Sequence, residues 1–311
     1  MNNKKIIFMG TPEFAVPILL GLIENYNVIG VVTQPDKIVG KNKLPSPTPI
    51  KKIAIENNIN VFQPENIKKE YNEILKLSPD IIITCAYGQI IPKEILEYPE
   101  YGCINVHASL LPKLRGGAPI HHAIIDGYKK TGITIMYMDE KMDTGDIISQ
   151  EEIIIKDDYT TSILHDKLSN IGVELLLDTL PSIFNKTNKR IKQDNLNATY
   201  GYNIKKSEEL INFNKTTIEV YNQIRGLCEY PGAYTTLDGK VMKVYESKIG
   251  KSKNTTPGQI ISIYKDGIGV STLDGEIIFT KIKPFGKKMM EVKDYLNGIK
   301  EKEKLLSKRF K

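Results

Sequence analysis

Apolar β-type runs alternate with helix-type segments from residue 5 to residue 184. No other feature constrains the fold as strongly, because this alternation is what a mainly parallel sheet covered on both faces requires. The runs 5–9, 28–33, 80–84, 102–107, 132–138 and 147–155 read as strands, and Val61-Phe62 as a further short one. The segments 13–25, 48–58, 66–77, 117–126 and 160–184 read as helices. In the last of them Ile163, Leu164, Leu168, Ile171, Leu175 and Leu176 recur at helical spacing, with Asp158 and Thr160 to Ser162 as N-caps. The class is therefore α/β, with an N-terminal Rossmann-like sheet over residues 1–184.

Residues 185–206 lose the pattern and are rich in Asn, Lys, Thr and Gln, which reads as an interdomain linker. A helix over 216–227 follows. Beyond Pro231-Gly232, short strand-like runs are separated by Asp238-Gly239, Asp266-Gly267 and Asp274-Gly275. That spacing predicts a smaller C-terminal β-barrel, OB-like, within a domain spanning 207–311, ending in a Lys-rich helix from about Lys287-Lys288.

Charge separates the two parts. Residues 1–203 carry 22 Lys and Arg against 24 Asp and Glu, whereas residues 204–311 carry 21 against 13. A basic domain joined to a near-neutral one points to a polyanionic partner; a solvated Lys-rich surface is the plainer alternative. No apolar run approaches the ~18 residues of a membrane span. The run Ile6-Ile7-Phe8-Met9 is too short for a secretory signal and reads as a first strand, so a cytoplasmic protein is expected. Cys85, Cys103 and Cys228 lie far apart with no CxxC pair, which argues against a structural zinc or a disulfide framework.

The first strand runs into Gly10-Thr11-Pro12-Glu13-Phe14, a tight turn into a helix that is not GxGxxG. A nicotinamide dehydrogenase is thereby disfavoured. The densest chemistry lies at Asn105-Val106-His107-Ala108-Ser109-Leu110-Leu111-Pro112. Side chains alternate along a strand, so Asn105 and His107 face the same way and can polarise one carbonyl oxygen, as acyl transfer needs. Met142-Asp143-Thr144-Gly145-Asp146 offers a carboxylate to orient the imidazole. The loop 34–49, with four Pro and three Lys, is far longer than the usual strand-to-helix connection. His121, His122 and His165 have no partner at metal-ligand spacing, and no metal is expected.

The strings GTPEFA (10–15), TQPD (33–36), AYGQIIP (86–92), GCINVHASLLPKLRGGAPI (102–120) and MDTGDI (142–147) resemble those of the folate-dependent formyltransferases. The resemblance covers most of residues 1–180, and the C-terminal part is similar in size, basic character and barrel-like pattern. It implies a catalytic trio of Asn105, His107 and Asp143, with Asp146 the lesser of the two acids. It implies a 10-formyltetrahydrofolate site along Ser109, Leu110, Leu111 and Pro112 and the backbone near Gly88, Gln89 and Ile90.

Within that family the resemblance is to the branch acting on methionyl initiator tRNA. Lys37, Lys41 and Lys43 of the 34–49 loop would then reach the tRNA, with Lys41 where the family pattern has Arg. Asn105 and His107 would stabilise the oxyanion, Asp143 would orient His107, and His107 with Asp143 would carry the proton from the attacking to the leaving nitrogen. Neither a covalent enzyme intermediate nor a metal is implied, and a monomer is expected. The trio alone leaves open a formyltransferase acting on a small amine, such as a nucleotide-linked amino sugar or glycinamide ribonucleotide. A non-catalytic RNA- or folate-binding protein is the third reading, against which the intact trio argues.

Overall fold

The computed structural model describes residues 2–39, 44–251 and 254–311. The chain divides into two compact units. One is built from the residues up to Pro119 with Lys130–Ile154 and His165–Tyr202, the other from Ile120–Lys129, Ile155–Leu164 and Asn203–Lys311.

In the first unit, β1 (Asn2–Gly10) leads through a short 3-10 turn into α1 (Val16–Asn25) and β2 (Tyr26–Val32). The long loop contains an antiparallel hairpin, β3 (Lys37–Val39) and β4 (Leu44–Ser46). Then come α2 (Pro49–Glu56), β5 (Val61–Phe62), α3 (Asn72–Leu75), β6 (Ile81–Cys85), α4 (Lys93–Leu96) and β7 (Cys103–His107). Helix α5 (Pro119–Ile125), counted with the second unit from Ile120, precedes β8 (Lys130–Tyr137), β9 (Ile147–Ile154) and the long α6 (Thr161–Phe184), which belongs to the first unit from His165. The sheet order is β5-β2-β1-β6-β7-β8-β9. Pairing is parallel as far as β7 and antiparallel for β8 and β9. Central β1 has Ile6, Ile7, Phe8 and Met9 wholly buried, as a strand covered on both faces must.

The helix expected over 66–77 shrinks to α3. Residues 66–70 form one isolated turn, Lys69 N and Glu70 N both donating to Asn66 O while Glu70 Oε1 closes it on Asn66 N, and the turn is not continued into α3. Helix α2 begins where the chain offers a cap, Thr48 accepting from Lys51 N with Pro49 at the first helical position.

The second unit holds α7 (Thr217–Leu227), opened by a Thr216/Glu219 capping box. Its strands are β10 (Ala233–Leu237), β11 (Lys240–Ile249), β12 (Ile260–Ile263), β13 (Ile268–Ser271), β14 (Glu276–Pro284) and β15 (Met290–Glu291). They form an antiparallel sheet in the order β10-β11-β14-β13-β12, with β15 on β14. Residues 308–311 join its two edges: Phe310 N donates to Gly258 O, Ile260 N to Lys308 O, and Thr236 and Lys311 exchange both backbone bonds. The tail thereby covers part of each edge strand, groups that could otherwise pair with another chain. Phe213, Phe279 and Phe310 pack as a ring cluster inside it, with centroids 5.5–6.2 Å apart. The Lys-rich helix begins only at Val292, as the six-residue α8 (Val292–Asn297), because Met290 and Glu291 are taken up in pairing with β14. No helix among the described residues is long and apolar enough to cross a membrane.

Candidate active site

Strands β1, β6 and β7 run in parallel register, Gly10 beside Cys85 and Thr84 beside Asn105. Their following loops therefore leave the sheet at one carboxyl edge, where open α/β sheets bind ligands. Strand β7 presents Asn105 and His107 there, two residues apart. The Thr84 hydroxyl donates to Asn105 Oδ1 at 2.8 Å. With Oδ1 held, Nδ2 keeps its N–H groups for another acceptor, and it meets none among the described residues.

His107 is 6% exposed. Its Nε2 lies 3.1 Å from Leu114 O. A carbonyl only accepts, so Nε2 carries a proton and Nδ1 is the atom that faces Asp143. Asp143 Oδ1 stands 3.7 Å from Nδ1, longer than a direct hydrogen bond and close enough to form one on substrate binding. The other carboxylate oxygen accepts from Gly116 N at 2.8 Å. Asp143 itself adopts the left-handed conformation at φ 56. Asp146 points elsewhere, pairing with Arg190 at 3.1 Å.

Two glycines let these loops approach. A Cβ on Gly145 would lie 1.9 Å from Tyr137 O, and one on Gly116, at φ +120, 2.8 Å from Gly201 O. Neither site admits a side chain without backbone movement.

The candidate folate loop is stapled from within. Ser109 Oγ donates to Lys113 O at 2.6 Å, so its hydroxyl serves the loop itself. Thr134 of β8 donates to Ser109 O and accepts from Leu111 N, and Gln150 of β9 donates to Leu111 O and to Thr134. Leu111 is buried against Met136 and Ile147, its peptide bond to Pro112 is cis, and Pro112 O accepts from Thr199 N. A Cβ on Gly132 would strike the Leu110 side chain at 2.6 Å, which places Leu110 against β8.

After β6 the chain turns at Gly88, φ +94. Tyr87 O accepts from Thr11 Oγ1 and Gln34 Nε2. The Gln89 carboxamide is committed to Ile67 N and Pro64 O, and Ile90 is exposed. By contrast, the backbone groups of Gly88, Gln89 and Ile90 make no hydrogen bond among the described residues. Free backbone donors and acceptors beside an exposed apolar side chain suit a pterin, which presents nucleobase-like edges. Burial, with the Glu70 charge second, pushes the Tyr87 phenol up.

Lys37 is exposed on β3, paired with Ser46. The base of that hairpin is anchored by Asp36, which takes Lys51 Nζ at 2.6 Å and Gln63 Nε2 at 2.7 Å. Those two bonds hold the Asp36 carboxyl below its usual range. Lys41 and Lys43 lie outside the described residues.

Several residues at this edge were not singled out from the sequence. Thr84 and Thr134 are polar residues inside buried strands, a signal that was there to read. Arg115, within the 102–120 motif, is 2% exposed. Its guanidinium is met by Gln193 Oε1 at 3.1 and 2.7 Å and by Asn195 Oδ1 at 2.8 Å. Both partners come from the stretch read as a linker. Along that stretch Ile191 bridges Ile147, Gln193 donates to Asp143 O and Gly145 O, and Thr199 and Gly201 exchange backbone bonds with Arg115. It is a strap laid over the loops that carry Arg115 and Asp143.

The remaining imidazoles have local partners: His121 meets Tyr230 O, His122 meets Asp126 and His165 meets Asp166. Among the described residues no group of His, Cys, Asp and Glu is arranged to hold a metal ion.

Residues 4–180 match the formyl transferase family, and residues 203–300 match the formyl transferase C-terminal domain. The chain belongs to the formyl transferase family. Methionyl-tRNA formyltransferase of Bacillus cytotoxicus is 53% identical over 301 residues, covering 95% of this chain and 96% of that one. The protein of the same name from Bacillus mycoides is 51% identical with the same coverage. Among solved structures, WlaRD, a sugar 3N-formyl transferase crystallised with dTDP and 5-N-formyl-THF, superposes at a TM-score of 0.66 and 23% identity, covering 93% of this chain and 100% of that one. HypX from Aquifex aeolicus, in complex with tetrahydrofolic acid, gives 0.65 at 16% identity over 96% of this chain and 48% of its own. These two likenesses establish the fold.

Proposed function

We propose that this chain transfers the formyl group of 10-formyltetrahydrofolate to the amino group of methionyl initiator tRNA. The observation that carries the chemistry is the juxtaposition of the Asn105 amide, the His107 imidazole and the Asp143 carboxylate at one sheet edge. The substrate follows from relatives of that activity aligned over 95% of the chain.

The folate supplies the formyl carbon, and the exposed backbone at Gly88, Gln89 and Ile90 with the Ser109–Pro112 loop would hold its pterin. Asn105 Nδ2 donates to the formyl oxygen as negative charge develops there; one such preorganised donor is worth about 10²–10³ in rate. His107, with Nε2–H fixed on Leu114 O, and Asp143, facing Nδ1, would carry the proton together, through a water between them and the substrate nitrogens. Asp143 keeps Nδ1 aimed and balances the imidazolium while the proton passes between amine and leaving nitrogen. Residues 207–311, with Lys37, Lys41 and Lys43, would contact tRNA phosphates, so binding weakens as salt rises. The catalytic domain is assigned to 1–184, and the protein to the cytoplasm as a monomer.

The test is formyl transfer from 10-formyltetrahydrofolate to purified methionyl initiator tRNA, with methionyl elongator tRNA alongside. Formylation of the initiator at a much higher kcat/KM is expected. Transfer to a nucleotide-linked amino sugar but to neither tRNA would replace the substrate and keep the site.

A further inference from the structure

The Asp143 loop is not held by the strand that carries His107. Its backbone carbonyls at Asp143 and Gly145 accept from Gln193 Nε2 at 2.9 and 2.8 Å. The other end of the same carboxamide, Oε1, faces the guanidinium of Arg115 at 2.7 Å from one nitrogen and 3.1 Å from another. Guanidinium groups only donate, so the Gln193 amide has one permitted orientation: oxygen to Arg115, N–H groups to the loop. Flipped, it would set N–H against N–H and oxygen against two carbonyls.

Arg115 is buried and forms no ion pair with a carboxylate among the described residues; the oxygens facing it belong to Gln193 and Asn195. A buried cation without a carboxylate is an expensive arrangement. A glutamate at 193 would pair with it more strongly. It would have no N–H for the loop, and the loop is where Asp143 must hold a left-handed backbone. We propose that Gln193 is a positioning residue for the transfer: turned by buried Arg115, it holds the Asp143 loop so that the carboxylate faces His107. The inference rests on the site assigned above and adds a residue outside the trio.

Gln193→Glu separates this role from a merely structural one. The variant retains an acceptor for Arg115 and gains a charge pair, so its urea midpoint is expected to equal or exceed that of the wild type. Its carboxylate repels the two loop carbonyls, and kcat is expected to fall about 10- to 100-fold, the scale of an ångström-sized misplacement of a catalytic group. KM for the folate is expected to stay within about twofold, since Gln193 does not line the Gly88–Ile90 turn. The ¹⁵N signals of the His107 ring, assigned by their loss in His107→Ala, should move in Gln193→Glu toward their positions in Asp143→Asn. Gln193→Leu is the second variant, expected to show the same ring shift. Wild-type kcat in Gln193→Glu, or His107 ring signals unchanged in either variant, overturns the proposal. Inactivity of the wild type on methionyl-tRNA would count against the substrate alone, because the ring signals decide the positioning without turnover.

Discussion

His107 and Asp143 reach one another from supports of opposite kinds. His107 ends a strand with a parallel neighbour on one side and an antiparallel one on the other, its position set by a backbone ladder. Asp143 sits in a loop whose carbonyls are held by one carboxamide from an irregular strap. The difference teaches which changes each side tolerates. Along β7 a side chain can be removed and the backbone stays, so the loss falls on chemistry. Along the strap the side chains are themselves the scaffold, so removing one releases a loop.

The sharpest test of the comparison is truncation on the strand side. His107→Ala is expected to lower kcat by about 10²–10⁴, the range for removing a positioned acid–base group. The β7 ladder persists, so the loss of stability should be no more than that of the bond to Leu114 O, about 1–3 kcal/mol. A larger loss with this variant would break the contrast.

Asn195→Ala, on the strap, is expected to act the other way. It deletes one of the oxygens meeting buried Arg115 and should cost about 1–3 kcal/mol in urea unfolding, as for a hydrogen bond to a charged group. Its effect on kcat should be under about tenfold, since Gln193 still spans Arg115 and the loop. Unchanged stability would mean the strap does not carry Arg115.

These two expectations also mark what the sequence made legible. A strand repeats every two residues and a helix every 3.6, so Asn105 with His107, and the apolar face of α6, were readable as patterns. A carboxamide bonding two carbonyls has no period. Gln193 and Asn195 therefore looked like linker composition, and the sheet-closing role of residues 308–311 was equally silent. The expected 66–77 helix was cut short by an equally aperiodic contact, Glu70 Oε1 closing a single turn back on Asn66 N. The proposed trio was read from motif and resemblance, whereas Gln193, which bonds backbone carbonyls that every residue possesses, left no pattern to read.

The smallest effect concerns thiols. Cys85 and Cys103 are buried in β6 and β7, and burial pushes both thiols up, away from the reactive thiolate. Cys228 is only partly buried and raised less. Alkylation of the native protein at pH 8 should modify Cys228 first and leave the strand thiols intact, read by mass after digestion. Equal labelling of Cys85 would show that the strand side opens as readily as a loop.

The central claim is that Asn105 stabilises charge developing on the formyl oxygen. Single-turnover formylation of methionyl initiator tRNA by wild type and Asn105→Ala, with folate binding measured separately, addresses it most directly. The variant's rate is expected to be about 10²–10³ lower, with folate affinity within about twofold. An unchanged single-turnover rate, or a loss explained wholly by weaker folate binding, would contradict it.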